Sequence, residues 1–354
     1  MSFTVDIHAS RAYTVRIESG LLDRVGALLR EKTAAETVCI VSGQQVWPLY
    51  GQRLEQSLHA AGFRTLCFVH PSGEQHKNLK TYGELLEFLA GEGLSRSDLL
   101  LSLGGGVTGD LTGFAAATYQ RGLDYVQIPT TLLAMVDSSV GGKTAVDLAA
   151  GKNLAGCFWQ PLSVLCDPAL LETLDQRELR CGAAEVIKYA VLRDGALFET
   201  LERGGLAAAC GAAVIQRCLE IKRDLVEEDE FDRGSRRLLN LGHSFGHAIE
   251  SCSGYALRHG EAVAAGMAMA ARAAAARGIF PEAEKARLLA LLGQFGLPAE
   301  TDFSVGELAE AMRKDKKRSG ARMTLILPEA IGRCRTESVP LAALEDWLRL
   351  GGAQ

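Results

Sequence analysis

Among the nine cysteines of this chain there is no Cys-x-x-Cys pair, and an odd count does not make a complete disulfide framework. Most lie in apolar runs, such as Thr-Val-Cys-Ile-Val at 37–41, and are expected to be buried free thiols of a reducing compartment, not thiolate metal ligands. Positive charge is not in excess: 38 Lys and Arg stand against 43 Asp and Glu, a net charge of -5, and the basic residues are scattered except near 313–318. Such a surface has no electrostatic footprint for nucleic acid, so no nucleic-acid partner is expected. No uncharged run reaches the length of a membrane span, and the first residues lack a basic segment followed by an apolar one. A cytoplasmic chain with no membrane partner is expected. Histidine is scarce, with seven in 354 residues, yet three of them fall within the 17 residues from His243 to His259.

The chain has an apolar share of 47% and a charged share of 23%, as a soluble globular protein does. Its 354 residues exceed the usual size of a single core, so two domains are expected, 1–160 and 161–354. In the first, alternating apolar residues predict a hairpin at 4–7 and 13–17, and buried strands at 38–41, 65–69, 99–103 and 125–128. Helical periodicity separates them at 21–31, 46–61, 79–91 and 107–117. That order predicts an α/β doubly wound, Rossmann-like nucleotide-binding domain with a parallel sheet. The second half has long alanine- and leucine-rich periods at 211–228, 236–250, 261–276 and 281–294, with a strand only at 323–327, and predicts a mostly α-helical domain. There is no internal repeat.

Four residues, His243, His247, His259 and Glu185, carry the metal hypothesis, with one histidine to spare. His243 and His247, in Leu-Gly-His-Ser-Phe-Gly-His-Ala-Ile-Glu at 241–250, are four apart and so share a face if the segment is helical. A lone His-x-x-x-His is explained equally well by packing. Glu185, however, sits among small and apolar residues in Cys-Gly-Ala-Ala-Glu-Val-Ile-Lys-Tyr-Ala at 181–190, where an unpaired carboxylate is costly to bury and a cation would offset its charge. Two imidazoles and a carboxylate leave a catalytic ion an open position.

Two glycine clusters suggest anion binding. Gly104, Gly106 and Gly109 match Gly-x-Gly-x-x-Gly between a predicted strand and helix, which suits a pyrophosphate at a helix N-terminus, although no acidic residue follows about 20 residues on. In Val-Asp-Ser-Ser-Val-Gly-Gly-Lys-Thr-Ala at 136–145, Asp137 stands where a P-loop requires glycine, so that reading fails. What remains is a loop offering Asp137 and Lys143, followed by Lys152 and Asn153, which suits a phosphorylated ligand.

These segments occur in a recognisable order. Gly-Gly-Gly-Val-Thr-Gly-Asp at 104–110, Gln-Arg-Gly at 120–122, the run at 128–145, Gly-Lys-Asn-Leu-Ala-Gly at 151–156, Glu-Val-Ile-Lys-Tyr at 185–189, Leu-Asn-Leu-Gly-His-Ser-Phe-Gly-His-Ala-Ile-Glu at 239–250 and His-Gly-Glu-Ala-Val at 259–263 resemble the 3-dehydroquinate synthases, members of the sugar phosphate cyclases. The match runs from about residue 35 to 335. The resemblance implies conversion of 3-deoxy-D-arabino-heptulosonate 7-phosphate (DAHP) to 3-dehydroquinate and phosphate in the shikimate pathway of aromatic amino acid biosynthesis. It also implies catalytic NAD+, one divalent metal (zinc or cobalt) and a homodimer. The implied steps are oxidation of the C5 hydroxyl, phosphate elimination, reduction, ring opening and aldol closure.

By the same resemblance the metal ligands are Glu185, His243 and His259, and His247 is a proton-relay or phosphate-contacting group. Substrate contacts fall on Arg121, Asp137, Lys143, Asn153, Lys188, Lys222, Arg236 and Asn240, with Lys316 favoured over Lys317 because it shares a helix face with Met312. Arg236 and Asn240 are four apart, so one helix is expected to carry them together with His243. NAD+ contacts fall on Glu74, Lys77, Gly105, Gly106, Val107, Gly109, Asp110, Thr130, Thr131, Lys143 and Lys152. Near Ser42-Gly43 the chain lacks the acid or Asn that family members often have for the adenosine ribose, and Gln44 is the substitute at hand.

Three alternatives stand beside this reading. Other sugar phosphate cyclases, forming aminodehydroquinate, deoxy-inosose or valiolone precursors, use the same metal and NAD+ arrangement, but those whose sugars lack a carboxylate have no need of Lys222 and Arg236. A metal-dependent alcohol or glycerol dehydrogenase would accumulate NADH, and Lys143, Lys152 and Asn153 argue against it. A catalytically silent nucleotide-binding protein would not need the full set of ionisable residues.

Overall fold

The computed structural model describes residues 2–314, 318–319 and 321–354. The chain divides into two compact units, Met1–Leu174 with Lys222–Phe231, and Asp175–Ile221 with Asp232–Gln354.

The first unit begins with β1 (Ser2–His8), β2 (Ala12–Glu18) and α1 (Val25–Arg30), followed by β3 (Thr37–Gly43), α2 (Trp47–Ala60), β4 (Arg64–His70) and α3 (Leu79–Gly91). It continues through β5 (Leu99–Gly104), α4 (Gly106–Thr118), β6 (Asp124–Pro129), β7 (Lys143–Leu148), β8 (Gly151–Phe158) and β9 (Ser163–Cys166). Among the described residues the main sheet has seven strands in the order β1-β2-β9-β6-β5-β3-β4. All neighbours are parallel except the edge hairpin of β1 and β2. β3 and β5 are buried throughout, as apolar strands covered on both faces must be. Cys39, Val41, Leu100 and Tyr125 from the sheet meet Leu85, Leu89, Leu111 and Ala115 from α3 and α4 in one core. The chain passes from β3 outward to β4 and returns to β5 on the other side of β3, so the strand order reverses between β3 and β5. Ligands of such sheets bind beyond the carboxyl ends of the strands at that reversal. This explains why the glycine-rich turn follows β5 and not the first strand.

Three strands of this unit were not among those expected from the sequence. β9 lies beyond the boundary expected at residue 160, yet it joins β2 to β6 in the sheet. β7 and β8 form a hairpin whose residues are largely half-buried, polar or small.

The second unit holds α5 (Gln176–Arg193), α6 (Gly195–Ala209), most of α7 (Ala212–Glu228), α8 (His243–Cys252), α9 (His259–Ala276), α10 (Glu282–Gln294) and α11 (Val305–Lys314). A small sheet of β10 (Arg318–Ser319), β11 (Arg322–Ala330) and β12 (Arg333–Pro340) precedes α12 (Leu344–Gly351). A single strand was expected here. β12, Arg-Cys-Arg-Thr-Glu-Ser-Val-Pro, is an edge strand with little apolar patterning, and its turn uses Gly332 at φ 88°.

The expected helix over 236–250 is not continuous. Residues Ser235–Asn240 form a 3-10 turn, Gly242 takes φ 79°, and α8 starts at His243. A side chain at Gly242 would be strained by that φ and would meet the Val263 carbonyl at 2.7 Å. Arg236 and Asn240 are therefore not on the helix that carries His243.

Three contacts between helices need glycine. A Cβ at Gly266 of α9 would lie 2.0 Å from the Gly242 carbonyl oxygen, and one at Gly246 of α8 would lie 2.8 Å from the Ala262 carbonyl. A Cβ at Gly260 would lie 2.2 Å from the Cys181 carbonyl of α5. Backbones thus touch where α8 and α5 pack on α9. Gly266→Ala is expected to destabilise the protein by about 1–3 kcal/mol, read as a lower denaturant midpoint at unchanged slope.

Candidate metal and cofactor sites

The glycine contacts bring three side chains to one point. Glu185 is one turn along α5 from Cys181, His259 is the first residue of α9, and His243 is the first residue of α8. The start of α9 is held by Glu261, whose carboxylate accepts the Arg258 N–H at 2.9 Å and is gripped at both oxygens by the Arg177 guanidinium. Glu185 is fully buried, and its Oε1 lies 3.7 Å from His243 Nε2 and 3.4 Å from His259 Nε2. One ligand atom from each residue lies within 4.8 Å of the others, the spacing of donors around one ion.

Lys188, one turn along α5, forms a short ion pair with Glu185 Oε2. The buried charge of Glu185 is thus already answered by an ammonium, and burial alone does not call for a metal. The stronger argument is the aim of the imidazoles. His243 Nδ1 is 3.1 Å from the Leu241 carbonyl, which can take its proton and leave Nε2 as a lone-pair donor toward Glu185. Burial alone would lower the pKa of His259, but the Glu185 and Glu250 carboxylates outweigh it and push it up to about 9, so the pocket favours positive charge at this point. His247 completes the group, with ring centroids 5.4 Å from His243 and 6.1 Å from His259. His247, Glu250 and His259 form a second set of donors within 4.8 Å.

The first unit assembles a different group. Lys77, 4% exposed, reaches Asp110 at 3.1 Å, Glu74 at 3.0 Å, Asp147 at 4.0 Å and the Asn153 side-chain oxygen at 2.8 Å. Lys152 lies 4.0 Å from Glu74. Burial raises Asp110 to about 6 even though Lys77 opposes the shift, while the same carboxylates hold Lys77 charged. Asn153, at φ 53°, donates its backbone N–H to Asp147.

Beside this cluster, α4 opens at Gly106 with no side-chain cap. A Cβ on Gly105 would come within 3.0 Å of Thr131, and one on Gly106 within 3.1 Å of Ser138 Oγ. The backbone N–H groups of that first turn, including that of Val107, suit a diphosphate, whereas the Gly109 N–H is given to the Gly105 carbonyl. Thr130 donates its N–H to the Gly104 carbonyl, and Thr131 Oγ1 caps Ala134. Ser42 is fully buried and bonds the Leu103 carbonyl, so it is committed to the sheet, whereas Gln44 is exposed at the end of β3.

The remaining expected residues are placed as follows. Lys222, 5% exposed, forms a short ion pair with Asp137. Exposed Lys143 starts β7, and exposed Arg121 sits in a run of positive φ, 47°, 69° and 127° at Gln120, Arg121 and Gly122. Arg236 is 2% exposed on its 3-10 turn with Asn240. Lys316 lies outside the described residues. Sequence reasoning missed Asp147 and Glu250. The signal for Glu250 was there, since it is three residues from His247 and seven from His243, on the helix face they share.

Comparison with known proteins agrees with this geometry. The 3-dehydroquinate synthase N-terminal family matches residues 67–181, and the 3-dehydroquinate synthase C-terminal family matches 182–318. The chain is 43% identical to a 3-dehydroquinate synthase of Enterococcus faecalis over 357 aligned positions, 99% of each chain. It is 46% identical to that of Pelobacter propionicus over 330, covering 91% of this chain and 92% of the relative. The chain belongs to the 3-dehydroquinate synthase family. Among solved structures, ValA, a 2-epi-5-epi-valiolone synthase from Streptomyces hygroscopicus with NAD+ and Zn2+ bound, is similar with a TM-score of 0.88 at 30% identity, covering 99% of both chains. The family places the chain among enzymes that act on small molecules.

His259→Ala should leave the fold intact by circular dichroism and lose stoichiometric zinc by elemental analysis. Unchanged zinc content would remove His259 from the ligand set.

Proposed function

We propose that this chain is a 3-dehydroquinate synthase that converts DAHP to 3-dehydroquinate and phosphate with NAD+ and one divalent cation, zinc or cobalt. The observation that carries the proposal is the convergence of Glu185, His243 and His259 within 4.8 Å in a chain whose full-length relatives have that name. ValA, which closes a related ring, holds NAD+ and Zn2+.

The residues fit both groups. Two Nε2 atoms and a carboxylate oxygen match the donor set of a catalytic cation, and the uncapped start of α4 with its close-packed glycines fits a dinucleotide diphosphate. Glu74, Lys77, Asp110, Lys152, Thr130 and Thr131 are the further NAD+ contacts of this reading. When bound, NAD+ accepts and returns one hydride and the cation polarises the substrate hydroxyls.

The chain's own groups position the substrate and move protons. Lys188 orients the Glu185 carboxylate through the buried ion pair. Lys222 fixes the Asp137 carboxylate, which then faces a substrate hydroxyl in a set orientation. Lys143, Asn153, Arg121, Arg236, Asn240 and Lys316 are the anion and hydroxyl contacts, matched to a substrate with a carboxylate and a phosphate. His247 is the proton-relay or phosphate-contacting group of this reading. Holding the substrate so that its own phosphate can act as base makes orientation the larger part of the task.

The 1–160 and 161–354 division is proposed as NAD+-binding and metal-binding halves. A homodimer is proposed from the family resemblance. A cytoplasmic location is supported by nine free cysteines, and no single helix among the described residues is long and apolar enough to cross a membrane.

Purified protein given DAHP should release phosphate without net NADH, and chelator should abolish the release. Steady growth of NADH absorbance would indicate a dehydrogenase instead, and faster release from the amino analogue or a neutral sugar phosphate would indicate another cyclase.

A further inference from the structure

Glu250 is a buried carboxylate, 4% exposed, that the reading above leaves without a task. It lies near the end of α8, two turns from His243, and its Oε2 is 3.7 Å from His259 Nδ1. The other nitrogen of the same ring, Nε2, is 3.4 Å from Glu185 Oε1. His259 is therefore held between two carboxylates, one at each ring nitrogen.

An imidazole ligates a cation through a nitrogen that carries no proton, and the acceptor at its remaining N–H fixes the tautomer and the ring orientation. The Leu241 carbonyl can serve as that acceptor for His243. Among the described residues no carbonyl serves His259 in this way; the group at its Nδ1 is Glu250.

We propose that Glu250 is a positioning residue for the metal site: it accepts the Nδ1 proton of His259, which fixes the ring orientation and leaves the Nε2 lone pair aimed at the cation beside Glu185. The proposal rests on the assignment of Glu185, His243 and His259 as metal ligands. A carboxylate acceptor also makes the imidazole a stronger donor than a carbonyl does, so the two histidines are supported unequally. Glu250 also has a donor atom within 4.8 Å of donor atoms of both His247 and His259, so it lies close to both rings.

Zinc affinity, measured by chelator competition on the full chain, tests the proposal. Glu250→Gln keeps an acceptor but loses its charge, and Glu250→Ala loses both, so affinity should fall in the order wild type, Gln, Ala, by about 10–100-fold overall. Thermal stability measured with excess chelator reports any purely structural role of Glu250. Affinity equal to wild type in both variants overturns the proposal. His259→Ala, measured alongside, separates the two readings: if it too binds zinc like the wild type, the ligand assignment fails and not the role of Glu250. Nitrogen NMR of the zinc-loaded wild type, with labelled histidine, answers the question even if a variant does not fold. It should show the His259 proton on Nδ1, and a proton-free Nδ1 overturns the proposal.

Discussion

The proposed metal site depends on helix backbones coming into direct contact. Gly242, Gly246 and Gly266 let α8 and α9 touch, and Gly260 lets the start of α9 rest on Cys181 of α5. Without those approaches His243 and His259 would not both come within 4 Å of Glu185. Close-packed interiors cannot open locally to accept even one methyl group without moving what surrounds it. The same packing that stabilises the second unit therefore sets the ligand geometry, and the alanine- and glycine-rich tract at 262–276 is part of the site although it supplies no ligand.

The polar groups follow from this constraint. A carboxylate placed at such a junction must have partners, and Glu185 has Lys188 on its own helix and two imidazoles from the others. The first unit solves a similar problem around Lys77, where several carboxylates and Asn153 share one buried ammonium and burial leaves Asp110 protonated more readily than usual although Lys77 opposes it. In both places ionisable groups are held in fixed positions by neighbours of opposite charge, so little reorganisation is left for the moment of reaction.

Much of this could be read from the sequence where one physical signal dominated. The buried parallel strands β3, β5 and β6 announce themselves as short apolar runs, and two of the three proposed metal donors, His243 and His259, stand out because histidine is rare and clustered in this chain. Exposed or polar elements were lost: β12 has no apolar pattern, and β7 and β8 pair through mixed small and polar residues. The break at Gly242 was hidden because residues 236–250 keep a helical period on either side of it, and only the close approach of α9 shows why a left-handed glycine is required there. Glu250 was overlooked for a related reason. Spacing puts it on the face of His243 and His247, but its partner His259 is on another helix, which spacing along one helix cannot reveal.

The central claim is that Glu185, His243 and His259 hold one divalent cation. It is tested most directly by an anomalous-scattering map, collected at the zinc edge, from a crystal of the zinc-loaded protein. The account predicts a single strong peak about 2.0–2.2 Å from a Glu185 carboxylate oxygen and from Nε2 of both histidines. A peak on other side chains, or ordered protein with no peak between these three, would contradict it.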